Sequence, residues 1–87
     1  MNIDEVIDYG YFEFNIKRIM DEKHVSVTKL AFRAELQRSQ VYNFMNNKVK
    51  RLDLYVLARI VHALGCDWQD VIVYHPPGEN SNKATEE

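Results

Sequence analysis

Residues 37–46 read Gln37-Arg38-Ser39-Gln40-Val41-Tyr42-Asn43-Phe44-Met45-Asn46 (QRSQVYNFMN). The apolar members Val41, Phe44 and Met45 are spaced to share one helix face. At about 100° per residue, Ser39, Asn43 and Asn46 point the opposite way. Gln37 and Arg38 stand at the leading end. The outward side is therefore small and amide-rich, with a guanidinium at its start. Such groups read base edges, and they also make ordinary solvated surface. The flanking segments decide between the two.

Just upstream, Val27, Leu30, Ala31 and Ala34 fall at i, i+3, i+4 and i+7, a short helical stripe. Ser26 precedes it, where a hydroxyl can cap free backbone N–H groups. Small Ala31 in its middle lets another helix approach closely. Glu35 and Leu36 interrupt the series. Two short helices separated by about three residues make the layout of a helix-turn-helix. Further upstream, Phe12 to Lys23 is helical in pattern, with Phe12, Ile16, Ile19 and Met20 on one face. His24 and Val25 close that helix.

Downstream, Asn46-Asn47 ends the third helix, since asparagine tolerates the left-handed conformation of a helix exit. Lys48, Lys50 and Arg51 cluster in the loop that follows. Asp53 is placed to cap a fourth helix whose expected buried stripe is Leu54, Leu57, Ala58, Val61 and Leu64, with Gly65 as its stop. Asp67 can cap a last short turn, with Trp68 locking it to the core. Phe44, Met45, Leu57 and Trp68 are expected core residues. Val71–Tyr74 are β-formers in a row, either the end of that turn or a short edge strand.

The 87 residues bound one small domain with a thin core. With 46% apolar residues, the chain is globular rather than disordered. The single cysteine, Cys66, excludes an internal disulfide and a zinc site built on paired cysteines, and suits a reducing, cytosolic setting. No segment has the roughly 18 unbroken apolar residues of a membrane span. Net charge is −2, but its distribution is uneven. Residues 1–11 carry −3 and residues 76–87 carry −2, while residues 12–75 carry +3. A mildly basic middle permits DNA binding without demanding it. Residues 1–11, broken by Gly10, read as an N-terminal arm that packs on a partner or as a short helix. Residues 76–87 are polar and expected to be disordered.

Taken together, SVTKLAFRAELQRSQVYNFMNNK and the later LYVLARIVHALGCDWQDVI resemble the Cro/cI-type (XRE) helix-turn-helix of phage and bacterial repressors over about residues 12–74. The residues that stand at the pattern's positions are Ser26, Leu30-Ala31, Ala34, Glu35, Val41, Phe44, Asn47 and Lys48, then the Ala-Leu-Gly ending at Gly65. Three positions depart from the pattern. Glu35 stands at the turn glycine, Asn47 at the exit glycine, and Val27 where a glutamine is common. The resemblance implies an all-α fold, a compact five-helix lambda-repressor-like DNA-binding domain over residues 12–75. It also implies a cytoplasmic, nucleoid-associated regulator of bacterial or phage type, expected to be a repressor.

In that frame the recognition helix enters the major groove and presents its N-terminal residues to the bases. The expected base readers are Arg38, Ser39 and Asn43, then Gln37 and Gln40. Arg38 can fork onto guanine, and Asn43 can pair bidentately with adenine. Lys48, Lys50 and Arg51 suit phosphates, as do Ser26 at a helix N-terminus and Tyr42 and Asn46 on the flanks of the helix. The expected partners are double-stranded DNA with a palindromic operator and a second copy of the chain, with residues 1–11 and Val71–Tyr74 as the candidate dimer elements. The rival reading is a protein-interaction module, such as an antitoxin that binds a toxin through its acidic ends. His24, His62 and His75 lack the spacing of a zinc-binding pair. With no Gly-rich phosphate loop and no GxSxG, neither cofactor nor enzymatic activity is expected.

Overall fold

A computed structural model describes residues 7–78. In chain order these form strand β1 (Tyr11–Phe14), helices α1 (Ile16–Lys23), α2 (Val27–Ala34), α3 (Arg38–Met45), α4 (Leu54–Leu64) and α5 (Trp68–Val71), and strand β2 (Ile72–His75). The five expected helices are present. A two-stranded antiparallel sheet joins the two ends of the domain, pairing Phe12 with Tyr74 and Phe14 with Ile72. The edge-strand alternative for the last β-formers is thus the one adopted.

The expectation of helix from Phe12 is corrected. Helix begins at Ile16, and Tyr11–Phe14 is extended. Helical spacing places Phe12 with Ile16 and Ile19, but Phe12 and Phe14 also alternate at the period of a strand. The pairing partner at the far end of the chain settles the choice, and Phe12 is left 63% exposed. The strand takes Tyr11 from the segment read as an arm. Residues 1–6 of that arm and residues 79–87 of the tail lie outside the described residues. Gly10 stands at φ 81, where an added Cβ would collide with the His75 carbonyl oxygen.

Caps fix the helix starts as their residue types dictate. The Ser26 hydroxyl accepts the Lys29 N–H at 3.1 Å, and the Asp53 carboxylate accepts the Tyr55 N–H at 2.8 Å. The core draws on every helix and on Phe14, with Ile16, Leu30, Val41, Ile60 and Val71 fully enclosed. Phe44 is buried, while Met45 and Leu57 are half-buried. Two readings of the core are corrected. Trp68 is 56% exposed rather than locked inside. On α4, Leu54 and Ala58 face outward, and Ile60, outside the expected stripe, is buried. Because α4 is apolar on nearly every side, its periodicity does not single out one face; packing against α2 does.

The turn between α2 and α3 is built without glycine. Glu35 is left-handed at φ 56 and ψ 48. The Leu36 N–H reaches back to the Ala31 carbonyl at 2.9 Å, and the Leu36 side chain is buried in the core. Arg59 of α4 completes the turn, its Nε donating to the Ala34 carbonyl at 2.7 Å. Its guanidinium also lies 5.0 Å from the centre of the Tyr55 ring. The left-handed conformation costs a residue with a side chain about 1–2 kcal/mol, and glycine's extra freedom when unfolded offsets about 0.4–1 kcal/mol of any gain. Glu35→Gly is therefore expected to stabilise the domain by up to about 1 kcal/mol, and Glu35→Ala not at all. Urea unfolding midpoints of the three proteins check this.

Candidate nucleic-acid interface

Helix α3 is anchored by its apolar side and open on the other. Val41 and Phe44 are buried, while Gln37, Arg38, Ser39, Gln40, Tyr42, Asn43 and Asn46 are all exposed. The helix start is held by its own side chains, because the Gln37 N–H donates to Gln40 Oε1 at 2.9 Å. One end of the Gln40 amide is thus engaged in the cap, leaving its NH₂ group outward. At the exit, the Lys48 N–H donates to the Asn43 carbonyl at 2.8 Å, with Asn47 left-handed at φ 56.

The fold brings the second half of the expected site together. Gln40 and Asn43 share one shallow hollow of about 300 Å³ with Lys48, Lys50 and Arg51. The loop folds back beside the helix through Val49, which meets Val56 of α4 at the same hollow; both pack against the core. Asp53 also lines it, with its carboxylate engaged by the N-terminus of α4. Arg38, Ser39, Tyr42 and Asn46 lie on the exposed side of α3 outside this hollow, and Ser26 stands at the start of α2. Among the described residues, Arg38, Lys48, Lys50 and Arg51 make no ion pair, whereas Lys17 and Arg18 on α1 pair with Asp21 and Glu22. Cations without carboxylate partners are free to meet phosphate.

Two positioning residues escaped sequence reasoning. Arg59 holds the turn that sets α3 against α2. Asn47 ties the α3 exit to the sheet, its Oδ1 accepting the Phe14 N–H at 2.6 Å and its Nδ2 donating to the Phe14 carbonyl at 3.4 Å. The Phe14 ring meets Phe44 of α3 edge-on at 5.1 Å. Asn47 was legible only as a helix exit; its amide partner is 33 positions away.

Burial pushes the Cys66 thiol up, and Asp70 and Asp67 add to this against Lys23, so the thiolate is disfavoured. No group of three or more metal-binding side chains occurs among the described residues, and none of their helices is long and apolar enough to cross a membrane.

An exposed amide face on an anchored helix, preceded by a capped helix and followed by a basic loop, is the arrangement of a DNA-reading motif. The family model of the Cro/C1-type HTH DNA-binding domain matches residues 15–77. The chain belongs to this family. No curated protein matches it. The Cro/C1-type match opens at Asn15, directly after β1, and runs through β2. The helix-turn-helix of this domain is α2, the Glu35-Leu36 turn and α3, and its general activity is DNA binding.

Proposed function

We propose that this Cro/C1-type domain is a sequence-specific transcriptional regulator that acts as a repressor. It reads a palindromic operator as a homodimer, with α3 in the major groove. The observation that carries the reading is the shared hollow of Gln40, Asn43, Lys48, Lys50 and Arg51 at the open side of α3. Amides there meet base edges while the adjoining cations meet the phosphates that flank them.

The roles divide by chemistry. Arg38 at the first turn forks onto guanine O6 and N7, and Asn43 pairs with adenine. Ser39 and the outward half of Gln40 supply shorter contacts. Gln37 reads from the helix start. Lys48, Lys50 and Arg51 hold one phosphate strand. Ser26, whose oxygen caps α2, keeps its O–H for the other strand, beside the free N–H groups of that helix end. Tyr42 and Asn46 reach the backbone from the flanks. One module spans only a few base pairs, so a two-fold pair of modules supplies the length that specificity needs. A domain seated this way on a promoter blocks it by occupancy, which is the physical content of repression. The protein, of bacterial or phage origin, works in the cytoplasm at the nucleoid.

Selection of duplexes from a random pool by the purified protein, followed by a salt titration of the selected site, tests the reading. Affinity is expected to fall steeply with salt, by about 0.9 logarithmic units per phosphate contact for each tenfold rise in salt. Arg38→Ala is expected to relax preference at one base at a cost of about 1–3 kcal/mol. Lys50→Ala weakens all sequences alike and lowers the salt slope by about 1. A flat salt response, or no enriched sequence, rejects the reading.

A further inference from the structure

The face between the sheet and the start of α4 is apolar, open and unaccounted for by DNA. Phe12, Leu52, Leu54, Leu57, Trp68 and Ile72 line a groove of about 590 Å³. It exists because the apolar face of the sheet is longer than the core beneath it. Phe14 and Ile72 end on the core, while Phe12 and Tyr74, with rings 5.0 Å apart, continue past it into solvent. Leu54, 73% exposed, and Trp68 form the opposite wall.

We infer that this groove is the surface on which a second copy of the chain docks. The inference rests on the DNA-binding reading for the orientation of the two copies. Three observations select a second copy as the occupant. The first is area: whole aromatic side chains bury about 150–250 Å² each, so Tyr11, Phe12, Leu52, Leu54 and Trp68 at their exposures present roughly 600 Å². That is at the top of the roughly 300–600 Å² patch of a monomer and near the roughly 800 Å² that each partner gives a standard interface. The second is charge. Lys50 is the one charged side chain on the groove's lining and also lines the hollow beside α3, so two identical faces bring together a single cation each and otherwise only uncharged surface. A strongly charged partner would find only Lys50 to pair with. The third is continuity: Val49 and Lys50 line both this groove and the hollow beside α3. A copy seated on the groove therefore adjoins the loop that flanks α3.

Trp68 is the only tryptophan, so its emission reports whether the groove is covered. The full 87-residue protein is followed by sedimentation equilibrium and by tryptophan emission, without DNA, from low micromolar to near-millimolar concentration. The expected result is a monomer–dimer equilibrium with a blue shift of Trp68 that tracks dimer fraction. Phe12→Lys and Leu54→Gln, each at an exposed position and each checked for an unchanged helical spectrum, are expected to weaken dimerisation at least about tenfold. A chain that stays monomeric, or a dimer whose Trp68 emission does not move, overturns the inference. Dimerisation equally tight in both variants does so too. A monomer that nevertheless binds its selected duplex with a steep salt response overturns this surface and leaves the DNA reading standing. A dimer with covered Trp68 that selects no duplex supports the surface and rejects the DNA reading.

Discussion

Ile60→Ala is expected to lower the unfolding free energy by about 2–5 kcal/mol, the range for removing a buried isoleucine side chain down to Cβ. Ile60 is 1% exposed on α4, the helix that packs against α2 and whose Arg59 supports the turn into α3. A chain of 87 residues has roughly 4–13 kcal/mol of stability in all, so the loss is a large share of the total. At about 4–8 °C per kcal/mol, the melting temperature falls by roughly 8–40 °C. Ile60→Val, which removes one methyl group, is expected to cost only about 0.5–1.5 kcal/mol. Thermal and urea unfolding of the three proteins measure the series. Equal midpoints for the wild type and Ile60→Ala would contradict the packing described. The prediction separates structure from pattern, since the stripe expected from the sequence passes over Ile60 and includes Leu54. Truncating Leu54 falls on association, not on the folding of one chain.

The second large effect is at Asn47. Its side chain does two things at once, and two substitutions separate them. Asn47→Gly keeps the left-handed backbone and removes both hydrogen bonds to Phe14, one short and one long. Such bonds contribute about 0.5–1.5 kcal/mol each, so a loss of about 1–2 kcal/mol is expected. Asn47→Ala loses the same bonds and adds about 1 kcal/mol or more of backbone cost at φ 56, for a total of about 2–3 kcal/mol. The order wild type, Gly, Ala in urea midpoint is the checkable result. If glycine matched the wild type, Asn47 would be a helix exit and nothing more. Amide hydrogen exchange at Phe14 gives a local reading of the same contact, since its N–H is donated to Asn47. Faster exchange there in Asn47→Gly, with α4 unchanged, locates the effect at the sheet.

Most of the helical frame was legible because it rests on local chemistry. Ser26, Asp53 and Gly65 act where their residue types predict, as caps and as a left-handed stop. The stripe Leu30, Ala31 and Ala34 is buried, and so are Val41 and Phe44. The outward residues of α3 follow from the same geometry, which is why every expected base reader is exposed. The readings that failed share a cause. Phe12, Trp68, Leu54 and Ala58 are apolar residues whose burial depends on what lies across from them. Apolar character alone does not say whether that neighbour is core, solvent or another chain.

By itself, the sequence determined that the chain is a small, mostly helical domain with a helix-turn-helix, a polar outward face on its third helix and a basic loop behind it. Periodicity, caps and charge act over one or two turns, so they are present in the order of residues. Only the tertiary structure decided that Tyr11–Phe14 is a strand, that Asn47 and Arg59 hold the motif in place, and that an aromatic groove is left open beside it. Those outcomes come from contacts between residues far apart in the chain. Their energies exist only once folding has brought the two sides together.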